Sequence, residues 1–428
     1  MTTPGRRNGF RGGIDGVLLV AVLLVAVNLR APLTAVPPVV ADIAADLHLT
    51  AAAAGLLTGI PVLCFALATP AVAGILGRSS LRTAVAVALA LVLVGTLLRS
   101  ADLSGAAPGL GYGGTFAGTV LLGLGITTAN LAVPMIAQRD FPGHVGTVTG
   151  LYTAAINVGT VATTALTAPL ASVIGWRWAL ASWGVLAVVA LVWWLRVVPR
   201  EPVRAPTRPG RDPAAGPTGP AASGSDPGRA RSGRDRHVLR MPFTWGLCAM
   251  FALQSSSFYA LTAWLPLILE DLAGIPAAAS GGAASLFQGF AIVGGLAVPL
   301  AARRLSMRTT FAGIAFLWIL LPAGLLVAPG AWAVWAAAAG IAQAANFVVI
   351  FTLVAQHYPT LRLGRQASAS VQSIGYCFAA VAPTAAGALH TVTGTWTTPV
   401  AAVLGALLAM TVIGLVLTGR TAPPTPPR

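Results

Sequence analysis

The 428-residue chain has 11 acidic residues and three cysteines, and all 26 of its basic residues are arginine. Charged residues make up 9% of it, where a soluble domain carries about 25%, so composition alone excludes an ordinary water-exposed globule. Cys64, Cys248 and Cys377 all fall in apolar runs, which excludes a disulfide framework and reads them as small buried hydrophobes. No HExxH, GxSxG or Walker pattern occurs, which removes the membrane proteases, the hydrolases and the ATP-driven pumps. The chain is therefore not expected to be an enzyme or to hold a cofactor or metal. Proton relays are scarce too. No Asp or Glu lies deep in an apolar run, and His357 and His390 sit near the ends of theirs.

What is present is hydrophobic length. Apolar residues are 56% of the chain and mean hydropathy is +0.81. Runs of about 20 residues, enough to cross a bilayer as helices, fall at 15–37, 51–76, 82–100, 113–137, 146–171, 177–198, 243–268, 279–302, 309–328, 331–356, 366–389 and 396–418. The expected fold is an all-α polytopic membrane protein of twelve transmembrane helices. Arg6-Arg7 before the first run resembles an export signal. That run is too long for one and is followed by many more, so it is expected to stay as the first helix.

The arginines orient the chain. Placing the N-terminus inside puts 23 arginines on inner segments and two, Arg99 and Arg177, at outer ends, a bias that predicts cytoplasmic termini. Scattered over short loops and one linker, these arginines form no nucleic-acid-binding face. The expected organisation is a cytoplasmic tail at 1–14, a six-helix half at 15–198, a disordered Arg-, Pro- and Gly-rich linker at 199–240, a second half at 241–418 and a tail at 419–428.

The halves carry weak internal repeats. Asn28-LRAP in the first span matches Asn130-LAVP in the fourth, and Pro32 and Pro134 each deprive the Asn carbonyl of its helical donor. Ala129-Asn130 also has a counterpart in Ala345-Asn346. Paired proline-weakened helices in corresponding positions point to the central site and hinges of a transporter.

Intramembrane amides are segregated. Asn28, Asn130, Asn157, Gln254, Gln288, Gln343, Asn346 and Gln372 occupy seven spans, while the third, sixth, ninth and twelfth have none. Amides turn away from lipid, so the segregation predicts a polar cavity surrounded by a scaffold made of every third span. Gln343 and Asn346 share a helical face, as do Gln372 and Tyr376. Arg30 is the one charge that reads as deep in a span, at an insertion cost of about 2.5–3.5 kcal/mol that calls for a function. On a regular helix Asn28 and Arg30 point apart, and Arg30 is the one expected to face the cavity. With no buried carboxylate to pair with, its guanidinium suits a planar anion, a polarised neutral ligand or helix carbonyls. The full set of candidate contacts is Arg30, Asn28, Asn130, Tyr152, Asn157, Gln254, Tyr259, Gln288, Gln343, Asn346, Gln372 and Tyr376.

Asn28-LRAPLTAV, Gly55-LLTGIPVLCFAL, Gly150-LYTAAINVG, Gly175-WRWALASW, Gln254-SSSFYALTAWLPLIL and Gln372-SIGYCFAAVAPTAAGALHTVTGTW carry a resemblance over nearly the whole chain. In these segments, and in its two-half layout, the chain resembles the cyanate and 2-nitroimidazole transporter family of the major facilitator superfamily. The resemblance implies a bacterial inner-membrane secondary transporter of small solutes, working by uptake or efflux. One departure is visible: Gly74-ILGRSSL-Arg82 lacks the acid usual in the superfamily's loop motif after the second span.

The expected function is transport of a small anionic or polar neutral solute by alternating access, by a monomer whose partners are that solute and the bilayer. Two alternatives stand beside it. One is a broad drug efflux transporter, which would more often carry an intramembrane acid. The other is a membrane sensor signalling through the linker.

Overall fold

A computed structural model describes residues 15–76, 79–102, 110–142, 144–198, 238–294, 304–358 and 361–419. The expected tails, apart from Gly419, linker residues 199–237 and the eighth span beyond 294 lie outside them. Among the described residues the regular structure is all helical.

The first span is broken in the middle. α1 (Gly16–Val27) starts on Asp15, whose carboxylate accepts from the Val17 and Leu18 amides, and it stops before Asn28. α2 (Ala31–Thr34) restarts the chain one turn later with Pro32 in its first turn. A proline there cannot satisfy the Asn28 carbonyl, so the expected weak point is an actual break. Pro134 acts differently: α7 (Leu110–Asp140) runs through it.

The remaining elements of the first half are α3 (Val40–Asp46), α4 (Ala51–Leu67), α5 (Thr69–Leu76), α6 (Leu81–Ser100), α8 (Val145–Ser182) and α9 (Gly184–Val197). The Thr50 and Ser80 hydroxyls cap α4 and α6 by accepting from backbone amides three residues on. Inside α8, Gly175 adopts φ +77°, a left-handed conformation that glycine tolerates. That kink separates the fifth span from the sixth.

The second half contains α10 (Pro242–Ala273), α11 (Ala277–Gly289), α12 (Met307–Val327), α13 (Trp332–His357), α14 (Leu361–Thr393) and α15 (Thr397–Gly419). Eight stretches of the described chain are long and apolar enough to cross a membrane, and one of them, Thr147–Val197, holds two of the expected spans. The second, seventh and eleventh spans are not among the eight. All three border the interface between the halves, and α10 and α14 carry hydroxyl and amide groups that lower their hydropathy.

The halves meet tightly on the side away from the linker. There α4 packs on α14 and α11 packs on α8. A methyl group added at Gly55 would lie 2.6 Å from the Pro383 carbonyl oxygen, and one at Gly281 would collide with the Thr164 carbonyl. Only glycine permits backbones this close. Toward the chain ends at Val198 and Val238, α4, α8 and α14 separate around a cavity.

One residue departs from expectation. Arg99, placed by sequence at an outer helix end, is 1% exposed and fully inside the first half. Arg30 is therefore not the only charge within the bundle. Snorkelling to the interface is the usual escape for a terminal arginine, but this side chain turns inward to the Pro32 carbonyl.

Candidate functional site

The cavity has a volume of about 1080 Å³ and lies between the halves. Of the twelve residues expected at the site, six line it: Arg30, Asn130, Asn157, Tyr259, Gln372 and Tyr376. Sequence spacing placed these well because α7, α8 and α14 are regular helices there. Arg30 is presented by the break between α1 and α2, which turns it toward the cavity while Asn28 points the other way.

Among the described lining residues Arg30 carries the only charge, and no described carboxylate pairs with it. Its guanidinium lies 5.2 Å from the centroid of the Phe258 ring, within cation–π range. The Tyr259 hydroxyl is in side-chain contact with it, and Tyr376 stands beside both. Tyr376 in turn packs edge-on against Phe65 at 6.0 Å and Phe251 at 5.3 Å. One wall of the site is therefore aromatic and rigid.

The rest of the polar lining is amide and hydroxyl. Asn130 and Asn157 make no hydrogen bond with described residues and open into the cavity, with Thr127 and Thr153 beside them. Gln372 spends one donor on the Ser368 carbonyl at 3.3 Å, which leaves its oxygen free. Together these groups can surround a small solute with one cation, several neutral hydrogen-bonding groups and flat apolar surface. The Ser368 and Ser373 side of α14 and the ring of Phe351 were not expected from sequence. For the serines the signal was their closeness to Gln372 on α14, four residues and one residue away; Phe351 lies on α13 and carried none.

The other six residues lie elsewhere. Asn28 is buried, its amide donating to the Leu24 carbonyl at 2.9 Å and to the Leu186 carbonyl of α9 at 3.2 Å. Tyr152 packs, half-buried, against the apolar core of the first half. Gln288 is buried and donates to Thr262 at 3.1 Å. Gln254, Gln343 and Asn346 form one network inside the second half. The Gln254 amide donates to the Gln343 backbone carbonyl at 3.0 Å, while its oxygen accepts from Asn346 at 2.9 Å and from the Trp318 indole. Gln343 and Asn346 share a face as expected, but that face looks into the helix core and not into the cavity. The amide segregation thus marked polar interior correctly, yet it could not separate cavity from core.

A Major Facilitator Superfamily model matches residues 18–369. The chain is 30% identical to the uncharacterized transporter YycB of Bacillus subtilis over 402 residues, covering 93% of this chain and 92% of that relative. It is 27% identical to the 2-nitroimidazole transporter of Escherichia coli (93% and 94% covered) and 26% identical to the cyanate transport protein CynX of the same organism (95% and 97%). Its fold is that of the D-xylose-proton symporter, with a TM-score of 0.72 at 14% identity over 95% of this chain and 98% of that one. It is also that of an inward-facing bacterial homolog of the human lysosomal transporter Spinster, with a TM-score of 0.71 at 16% identity over 96% and 100%. With a broken first helix, a cavity between two helical halves and this match over most of its length, the chain belongs to the Major Facilitator Superfamily and is a multi-pass membrane transporter, not an enzyme.

Proposed function

We propose that the protein carries a small anionic or electron-rich neutral solute, cyanate-like or nitroimidazole-like, across the bacterial inner membrane by alternating access around Arg30. The observation that carries this reading is an arginine with no described carboxylate partner, set in a cavity whose described lining has no other charge. A cation left unpaired in a low-dielectric site attracts a planar anion or a polarised nitro or nitrile group. Asn130, Asn157 and Gln372 supply neutral hydrogen bonds, and Tyr259 and Tyr376 add hydroxyls beside flat rings. The linker side is cytoplasmic in this reading, following the arginine bias.

Export or exchange is the easier direction for an anion. An inside-negative potential opposes anion entry by about 2.3 kcal/mol per 100 mV. The described lining holds no carboxylate or histidine that would couple entry to protons. The same lack of an acid disfavours a carrier of cationic drugs.

The test is counterflow in proteoliposomes with labelled cyanate, 2-nitroimidazole and small carboxylates. At least one of them is expected to exchange, and Arg30→Ala is expected to abolish the exchange while leaving the amount of membrane protein unchanged. Near-normal exchange by Arg30→Ala would sink the reading, and movement of none of these solutes would remove the proposed substrate class.

A further inference from the structure

Burying a guanidinium inside a membrane bundle is costly, and Arg99 has only modest compensation for it. Near the end of α6 it is 1% exposed, and its Nη1 donates to the Pro32 carbonyl at 3.0 Å. Its Nε and Nη2 have no partner among the described residues. The approach is prepared from the neighbouring helix. The Thr115 hydroxyl of α7 donates to the Arg99 carbonyl at 3.3 Å, and a methyl group at Gly118 would sit 2.5 Å from the Arg99 backbone nitrogen. The side chain is thus committed to one contact.

That contact is at a place where the backbone needs it. α2 ends at Thr34; the Ala35 amide bonds to the Ala31 carbonyl, and the Val36 amide, the donor a continuing helix would bring to the Pro32 carbonyl, makes no such bond among the described residues. The guanidinium of Arg99 satisfies the Pro32 oxygen in its stead. α2 begins directly after Arg30, whose carbonyl accepts from the Leu33 and Thr34 amides. On the other side of the break, Asn28 is fastened to the Leu186 carbonyl of α9. Arg30 therefore projects from a short linkage pinned at both ends by the two peripheral spans of its own half.

We propose that Arg99 is a positioning residue for solute recognition: it never meets the solute, and by holding the Pro32 carbonyl it fixes α2 so that Arg30 faces the cavity. Its consequence for transport rests on the reading of Arg30 as a solute contact. Its consequence for geometry does not, and the two are tested separately.

The geometric test uses purified protein in detergent with Cys64, Cys248 and Cys377 replaced by alanine and Arg30→Cys introduced. The reaction rate of that single thiol with a charged methanethiosulfonate reports how position 30 faces the cavity. Arg99→Met is expected to slow it about tenfold, the weight of one lost charge-assisted hydrogen bond. Arg99→Lys, which keeps one donor in reach of Pro32, is expected to restore most of the rate. Should Arg99→Met not accumulate, Arg99→Gln against Arg99→Lys gives the same ordering with smaller steps. Rates within about twofold of the parent in all variants, or faster labelling accompanied by a lower melting temperature, overturn the proposal, because a residue that only holds the bundle together would loosen it.

The transport test uses the native cysteines and labelled 2-nitroimidazole and cyanate. Arg99→Met should raise KM about tenfold with little change in maximal rate per folded molecule, and should add less than about threefold when Arg30 is already lysine. Equal, additive losses in both backgrounds overturn the positioning role. If Arg30→Ala leaves transport intact while the thiol rate still falls, the functional reading fails and the positioning of α2 by Arg99 stands.

Discussion

The two halves use their buried polar groups in opposite ways. In the first half, Arg30, Asn130 and Asn157 open into the cavity, and the amides of both asparagines are free of protein partners among the described residues. In the second half, Gln254, Gln343, Asn346 and Gln288 are 0–7% exposed, and the side chains of three of them donate within the protein. That half faces the cavity instead with Tyr259, Phe351, Gln372 and Tyr376. Asn130 and Asn346 bring out the contrast, since sequence presents them as counterparts and only the first lines the cavity. The charge and two asparagine amides thus face the cavity from the first half, while the second half faces it with aromatic rings and the single amide of Gln372 and keeps its other amides in its core.

The largest effect expected from this contrast is at Arg30. Removing a guanidinium that meets a desolvated anion costs about 2–5 kcal/mol, so Arg30→Ala should reduce exchange by about thirtyfold or more without changing the melting temperature. Arg30→Lys keeps the charge and its place near the Phe258 ring but gives up the planar fork, and it should fall between the parent and Arg30→Ala. Proteoliposome exchange and a thermal melt of the same preparations check both points. A melt lowered as far as transport would place Arg30 with the core residues and dissolve the contrast.

Gln254→Leu should do the reverse. It strips the acceptor from the Trp318 indole and the Asn346 amide at once and removes the donor to the Gln343 carbonyl. Orphaned buried donors cost about 1 kcal/mol or more each, so the variant should lose about 2 kcal/mol of stability and melt several degrees lower. The KM of the surviving fraction should stay unchanged. A raised KM with an unaltered melt would return these amides to the recognition site.

Much of this was legible in sequence because the bilayer enforces it. Span length, the arginine bias and the exclusion of amides from lipid follow from what each residue tolerates, and the spans reappear as helices wherever they are described. The sequence could not separate cavity from core. Gln343 and Gln372 look equivalent in sequence, each an amide at helical spacing from a polar neighbour. The first is buried with its backbone carbonyl held by Gln254, and the second lines the cavity between the halves. Arg99 was misplaced for a similar reason. A terminal arginine reads as interfacial unless a helix break elsewhere in the chain offers it a carbonyl, and that partner lies 67 residues away.

Asn130→Ala and Asn157→Ala test the first half on a finer scale. Each removes one neutral hydrogen bond to solute, worth about 0.5–1.5 kcal/mol, so KM should rise between about twofold and tenfold. Because neither amide bonds to described residues, neither variant should melt lower. A stability loss in either would show that its amide serves the fold, and the contrast between Asn130 and Asn346 would narrow.

The smallest effect concerns the peripheral spans, which sequence presents as a plain lipid-facing scaffold. Each half uses them to brace its interior: Arg99 and the Leu186 carbonyl hold the break in the first span, while Trp318 of α12 and Met410 of α15 reach the amide network of the second half. Trp318→Phe keeps an aromatic ring against Phe287, now 5.5 Å away, and removes the indole donor together with part of a fully buried ring. The Gln254 oxygen still accepts from Asn346, so no buried group is orphaned and the hydrogen-bond part of the loss should be about 0.6 kcal/mol. In the Gln254→Leu background the acceptor is already gone, and removing the donor as well should then recover part of the lost stability. Additive destabilisation in that double variant would mean that the indole acts through its ring alone, and α12 would be scaffold in the plain sense that its composition suggests.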